Sequence, residues 1–499
     1  MDYASSCVSP SESFTNTTKW NMSNIADTVT TVAPPRSERR TVVALMVALL
    51  SACLAFQLNA SMLSPALVTM ERALDATGAQ IASTQTAFFT AAALFTLFLP
   101  RLGDLVGRRR VMVGMLLTMA AGCVIAACAT TVPMLYVGRL VQGASGPVVP
   151  LCLLMLRSVV KDPKTYGTLM GVVAAVNGGI AGVDALLGGY LATNHGFESI
   201  FWTMAGVALI SSLLVKLLAP ESKAGTPGRM DWTGSAFLVI AIGSMLIALN
   251  ELGKLKAANS ALVLMLAVLA VVSFVFFLRT ESRSPHALVP THQLKQRSTW
   301  ALFTTSLLTL SGVFAVMNGI VPAIAQNTEV GLGMSAEEVS WWVLMPYALA
   351  GLLVGPFAGR LAASIGYRTM LRIGLAGTII GILMFVATLG SNSRIVLLLL
   401  SVAVGITYAG IANIMLNGLG IVLSPTENPG SLPGLNTGGI NLGAGLSFVA
   451  IYTAQTLFTP DDGAVAPGFI AGLATGALIL IGALVMSFLI PRPSAAEVR

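Results

Sequence analysis

Three stretches of this sequence run for 18 residues or more without a charged side chain: Thr41 to Met62, Val111 to Thr131 and Ala261 to Leu278. A helix needs about 20 apolar residues to cross a hydrocarbon layer roughly 30 Å thick. Charged residues make up only 10% of the chain, against about 25% in ordinary soluble domains, and the mean hydropathy is +0.82. Such a chain cannot cover a water-facing surface. The fold class expected is an all-α polytopic membrane protein.

Fourteen spans can be placed between residues 41 and 490. An even number puts both termini on one side. With that side as the cytoplasm, 23 of the 28 Lys and Arg residues lie inside, Arg72, Lys254, Lys256 and Arg394 lie outside, and Arg139 falls within a span. The reverse orientation would break the positive-inside rule. The net charge of +7 is therefore a topological signal, and nucleic acid is not expected as a partner. Residues 1–40 are rich in Ser, Thr and Asn, lack the apolar core of a signal peptide, and read as a disordered cytoplasmic tail. Residues 491–499 form a second cytoplasmic tail. The expected setting is the plasma (inner) membrane, with the protein a monomer in contact with membrane lipid.

Cys53, Cys123, Cys128 and Cys152 lie within spans and Cys7 in the tail, so no disulfide framework is indicated. His195, His286 and His292 have no metal-ligand spacing. There is no nucleophile motif, phosphate loop or zinc cluster, so neither an enzyme, a metal nor a cofactor is expected.

Charge is concentrated in "LPRLGDLVGRRR", Leu99 to Arg110, and a fainter copy, "AGRLAASIGYRTM", runs from Ala358 to Met370. The offset is 360 − 101 = 259 residues, which aligns Arg101 with Arg360, Gly107 with Gly366 and Arg109 with Arg368. The same offset pairs Asn59 with Asn318 and Asn177 with Asn436. Internal repeats in transporters locate the site between the halves. The organisation expected is a six-helix bundle over 41–219, a linker with two extra helices over 220–298, and a second six-helix bundle over 299–490. Arg101, Gly103, Asp104, Gly107, Arg108 and Arg109, with Arg360, Gly366 and Arg368, then form tight cytoplasmic gating loops. Their glycines allow a close turn, Asp104 can pair with a guanidinium, and the arginines can bridge to the other bundle or to anionic lipid.

"RLGDLVGRRRV" (Arg101 to Val111) resembles the loop motif of the major facilitator superfamily, with Pro100 where a glycine is usual. "GRLVQGASG" (Gly138 to Gly146) resembles its fourth-helix motif, and "RMDWTGSAFL" (Arg229 to Leu238) the start of the seventh span in the fourteen-span drug:proton antiporter branch. The resemblance implies two bundles rocking about a central cavity, with alternating access driven by protons. Two departures stand out. Asn59, in "LNASMLSPALV", takes the place of an aspartate usual in that branch, so no proton can be carried there. "DALLGG", Asp184 to Gly189, replaces the fifth-helix motif and lacks its first glycine and its proline.

Asp184 is the one acidic residue and Arg139 the one basic residue placed within spans. Both fall roughly 9–10 Å below the same boundary at 1.5 Å per residue, and Asn59 lies near that level. An ionisable group in the bilayer is costly and should face a cavity or a partner. Arg139 and Asp184 are therefore expected to pair, with Asp184 coupling protons or binding solute; a static ion pair joining two helices is the structural alternative. Asn177, Asn318, Asn436, Asn441 and Gln85 are expected to line the substrate cavity, or to act as interhelical hydrogen-bonding groups. The function expected is a secondary active transporter exporting amphipathic or cationic compounds in exchange for protons. The alternative is a proton symporter or facilitator taking up a polar metabolite such as a nucleoside, sugar or organic acid; a non-transporting membrane sensor is more remote.

Overall fold

The structure, a computed structural model, describes residues 36–160, 162–221, 231–252, 258–283, 295–391, 393–424, 431–460 and 464–492. Residues Met1–Thr41 and Val42–Arg499 are separate units. Of the first, only the helix from Arg36 is described, and the expected tails at 1–40 and 491–499 lie almost wholly outside the described residues.

Among the described residues, fourteen long helical segments follow one another. Twelve combine the length and apolar character of membrane spans: α1 (Arg40–Ala73), α2 (Gly78–Val106), α3 (Arg108–Ala127), α4 (Val132–Val159), α6 (Phe197–Leu218), α7 (Trp232–Leu249), α8 (Ser260–Ser282), α9 (Arg297–Gln326), α10 (Ala336–Ala362), α11 (Tyr367–Ala387), α12 (Arg394–Val422) and α14 (Ala466–Ser487). The other two are α5 (Pro163–His195) and α13 (Ser431–Leu457), of 33 and 27 residues. Large apolar side chains such as Leu264, Leu353, Phe357 and Leu478 point outward, as they must where the surrounding solvent is hydrocarbon.

The halves share one packing plan. α3 packs on α6 and α11 on α14; α2 packs on α4 and α10 on α12. Between halves, α2 lies along α13 and α5 along α10, two contacts that the repeat exchanges for each other. α7 and α8 pack together, and α7 also lies against α2. The chain thus has the two-bundle, major facilitator-type fold expected.

Several segments are interrupted. In α1 the helix stops at Ser61, a 3-10 turn spans Ser64–Ala66 with Pro65 near its start, and helix resumes at Leu67. In α4 a 3-10 turn at Gly143–Ser145 and Pro147 separate Val132–Gln142 from Val148–Val159. Proline lacks the amide that would continue the ladder. The second half carries π-helical turns instead, at Val316–Ile320, Ser340–Leu344 and Gly405–Ala412. The turns between α2 and α3 and between α10 and α11 are made by Gly107 (φ +112°) and Gly366 (φ +94°), the same repeat position in both halves. Only glycine reaches that backbone region without strain.

Candidate functional site

The break in α1 creates the demand that Arg139 meets. Carbonyls in the last turn of a helix lack intrahelical partners, and Asn59 lies two residues before the helix ends. Arg139, on α4 and fully buried, donates to the Asn59 carbonyl through both terminal nitrogens, at 3.3 and 3.2 Å. The same guanidinium donates to Gln142 Oε1 at 2.6 Å and to Gln85 Oε1 on α2 at 2.7 Å, and lies 4.2 Å from the Phe88 ring centroid. A cation at a helix C-terminus also meets the negative end of the helix dipole. Arg139 therefore ties α1, α2 and α4 together without a carboxylate.

Asp184, on α5, is 2% exposed. Ser61 donates to its Oδ2, and its Oδ1 has no hydrogen-bond partner. The expected Arg139–Asp184 pair is not formed, because each charge meets the last turn of α1 instead: Arg139 at Asn59, Asp184 at Ser61. Glu251 and Glu281, near the ends of α7 and α8, are buried as well, which the span assignment missed.

The asparagines divide by half. Asn59 turns its amide to its own helix, donating to the Ala55 carbonyl at 3.0 Å, and accepts from the Cys123 thiol. Its repeat mate Asn318, within the first π turn, donates to the Phe314 carbonyl and accepts from Ser64 Oγ across the two halves, both at 3.0 Å. Asn436 accepts from Ser306 at 2.6 Å and donates to the Leu416 carbonyl at 3.2 Å, joining helices within its half. Asn441 and Gln85 are buried, and Asn441 Nδ2 and Gln85 Nε2 lack partners, as do Thr90 Oγ1 and Ser311 Oγ. The Asn177 side chain lies outside the described residues.

Beside these groups runs a row of aromatic rings that single-residue reasoning did not single out. Phe56, Phe88 and Phe89 from the first half meet Phe314, Phe448 and Tyr452 from the second. The crossing contact, Phe89–Phe314, is edge-on with centroids 4.9 Å apart. Phe88–Phe89 and Phe448–Tyr452 are close in sequence, but the contacts that join them into a row, Phe56–Phe88, Phe89–Phe314 and Phe314–Phe448, are 32 or more residues apart and give no periodic signal.

The halves are drawn together at the end away from the Arg101–Arg110 loop. Besides Ser64–Asn318, Gln326 donates to the Pro65 carbonyl at 3.2 Å, the Glu337 amide to Thr193 Oγ1 at 3.2 Å, and Thr86 to the Gly445 carbonyl at 3.0 Å. Gly189 of "DALLGG" is packed so closely on α10 that a β-carbon there would strike Ser340 and Ala336. This surviving glycine makes close contact between α5 and the other half possible.

At the loop end, Asp104 pairs with Arg108 at 2.8 Å, and Arg108 donates to the Leu154 carbonyl at 2.8 Å. Gly103 is buried against Leu151. Glu221, just after α6, accepts from the Arg109 amide at 3.1 Å and lies 3.4 Å from its Nε. Arg368 donates to the Phe488 carbonyl at 3.4 Å, and Arg360 is exposed. Among the described residues these contacts stay within one half. Arg108, Arg109 and Arg368 satisfy local carbonyls and carboxylates, while Arg101 Nε is buried with no hydrogen-bond partner.

A sequence model of the Major Facilitator Superfamily matches residues 49–448. The uridine/deoxyuridine transporter of Lactococcus lactis subsp. cremoris is 54% identical over 454 residues, covering 90% of this chain and 95% of that protein. The probable multidrug resistance protein EmrY of Escherichia coli is 25% identical, over 54% of this chain and 52% of that protein. Among solved structures, the nucleoside transporter NupG matches with a TM-score of 0.60 at 14% identity, covering 89% of this chain and 99% of that one. The human organic anion transporter MFSD10 matches with 0.58 at 16% identity, covering 92% and 100%. At such identities the structures speak for the fold alone. The expected export of amphipathic or cationic compounds is corrected by these likenesses. The likeness to multidrug proteins is fainter, at 23–25% identity over 54–72% of the chain, whereas a uridine/deoxyuridine transporter matches 90% of it at 54% identity.

Proposed function

The chain belongs to the major facilitator superfamily, and from that premise we propose that it takes up uridine-type nucleosides by alternating access between its two halves. The observation that carries this reading is the 54% identity to a uridine/deoxyuridine transporter over nine-tenths of the chain. The chemistry of the interface supports it. A nucleoside offers a flat base with a hydrogen-bonding edge and a sugar with hydroxyls. The ring row led by Phe89 and Phe314 supplies apolar faces, and Gln85 Nε2, Thr90 Oγ1, Ser311 Oγ and Asn441 Nδ2 supply unpaired polar atoms. A site that leaves such groups unpaired when empty rejects solutes that cannot satisfy them. Asp184, with one oxygen free, is the group proposed to couple transport to protons, and Arg139 to position α1. Both termini and the Arg101–Arg110 loop are assigned to the cytoplasm on the charge distribution. The end closed by Ser64–Asn318 then faces outside.

The test is accumulation of radiolabelled uridine by proteoliposomes holding the purified protein, with and without an inward proton gradient. Uptake that unlabelled deoxyuridine suppresses and an ethidium-like dye does not is the expected result. Absence of uridine uptake, together with extrusion of the dye, would overturn the reading.

A further inference from the structure

α3 and α6 part at the loop end to leave a groove of about 460 Å³ on the outer surface of the first half, away from the contact between halves. Arg109, Arg110 and Lys216 stand at its mouth, and Leu117, Leu209 and Leu213 form its wall. The leucines are 48, 51 and 55% exposed, on the face where acyl chains lie. From Arg110 to Leu117 is seven residues, or about 10 Å along the helix, so the cations sit at one level and the apolar wall one step deeper.

The charge at the mouth is unbalanced. Among the described residues one carboxylate approaches it, Glu221, at 3.4 Å from Arg109 Nε and 3.7 Å from Arg110 Nε. Three cations and one anion leave two positive charges beside an apolar wall. The repeat does not require this. In both halves the first arginine donates to a carbonyl at the end of the facing helix, Arg109 to Ala219 at 3.3 Å and Arg368 to Phe488 at 3.4 Å, but the offset places Thr369 and Thr475 where Arg110 and Lys216 stand.

We propose that this groove binds one anionic glycerophospholipid, its phosphate held by Arg110 and Lys216 and an acyl chain laid along Leu117, Leu209 and Leu213. A free phosphate would satisfy the cations but leave the apolar wall unused. A neutral lipid would use the wall but not the charge. Glu221 competes with the phosphate for the arginines, so it tunes affinity from within the chain. The proposal holds whatever solute the protein carries.

The test is native mass spectrometry of the detergent-purified full chain titrated with phosphatidylglycerol, phosphatidylcholine or inorganic phosphate. A juxtamembrane cation contributes an attraction equivalent to about fivefold in binding. Arg110→Ala with Lys216→Ala should therefore weaken phosphatidylglycerol retention by about 25-fold. Arg110 is 72% exposed and Lys216 is exposed, so their loss leaves the packing intact. Glu221→Gln should strengthen retention, and Leu213→Trp, which fills the groove, should abolish it with every cation in place. Equal retention of phosphatidylcholine, displacement by inorganic phosphate, or indifference to Glu221→Gln or Leu213→Trp would each overturn the proposal.

Discussion

Ser64→Ala removes one hydroxyl from the contact that holds the halves together. In the closed arrangement Ser64 and Asn318 are 5% and 8% exposed, with oxygens 3.0 Å apart. Without the hydroxyl, Asn318 Oδ1 is buried and unpaired, which costs about 1–3 kcal/mol. When the halves separate, water reaches the amide and the cost disappears. The penalty therefore falls on one state, and the balance moves about 5- to 150-fold toward the form open at this end. A minor form populated at about 1% would rise to several per cent or more. Spin labels at Asp75 and Glu329, exposed positions in loops at this end of each half, report the change by double electron–electron resonance. Ser64→Ala should enlarge the long-distance population, while Ser64→Thr, which keeps the hydroxyl, should not. An unchanged distribution for Ser64→Ala would show that this hydrogen bond does nothing to hold the end shut.

Three further outcomes are expected. Gly366→Ala should cost about 1–3 kcal/mol from backbone strain alone, since nothing lies within 4 Å of the added carbon; Gly107→Ala should cost more, because its β-carbon would lie 2.6 Å from Glu221 Oε1, and Glu221→Ala should return the excess, all read from heat inactivation in detergent. Arg139→Lys keeps the charge but cannot span three acceptors with a planar fork, so it should lower stability by about 1.5–3 kcal/mol for each charged hydrogen bond lost in the same assay. Asp184→Asn should leave heat stability within about 1 kcal/mol, because an amide oxygen still accepts from Ser61, while uridine accumulation in proteoliposomes should lose its dependence on the proton gradient.

The membrane class, the helical segments and the repeat were legible because each rests on one-dimensional regularities: run length, charge placement and a fixed offset. Gly107 and Gly366 show how far this reaches: the offset paired them, as glycines they pointed to close turns, and the structure gives both a positive φ. The Arg139–Asp184 pair was not legible. Depth along a helix can be counted, but the break in α1 inserts a carbonyl acceptor at Asn59 and a hydroxyl at Ser61, and these nearer partners take the two charges. The π turns left no trace either, because an extra residue per turn depends on contacts from elsewhere; the Ala315 amide, at the first of them, donates to Ser447 on α13. Solute class was hidden for another reason. The export expectation followed motif resemblance shared by many carriers, while the proposed site rests on a few polar atoms and rings spread over four helices.

The repeat gives both halves one plan, and the departures from it indicate where motion is accommodated. Asn59 is bound within its own helix, and Arg139 locks the broken α1 to α2 and α4. Asn318, at the equivalent place, reaches across to Ser64 from within a π turn. The second π turn, Ser340–Leu344, packs on α5 at the same end. Each π turn is closed by an i→i+5 bond, Val321 to the Val316 carbonyl and Met345 to the Ser340 carbonyl, so one residue is inserted into the regular ladder at a place where such bulges accompany function. The first half is thus the braced partner, and the second carries the inserted residues. Opening of the Ser64–Asn318 end should then be absorbed in Val316–Ile320 and Ser340–Leu344, while the cluster around Arg139 moves as a block.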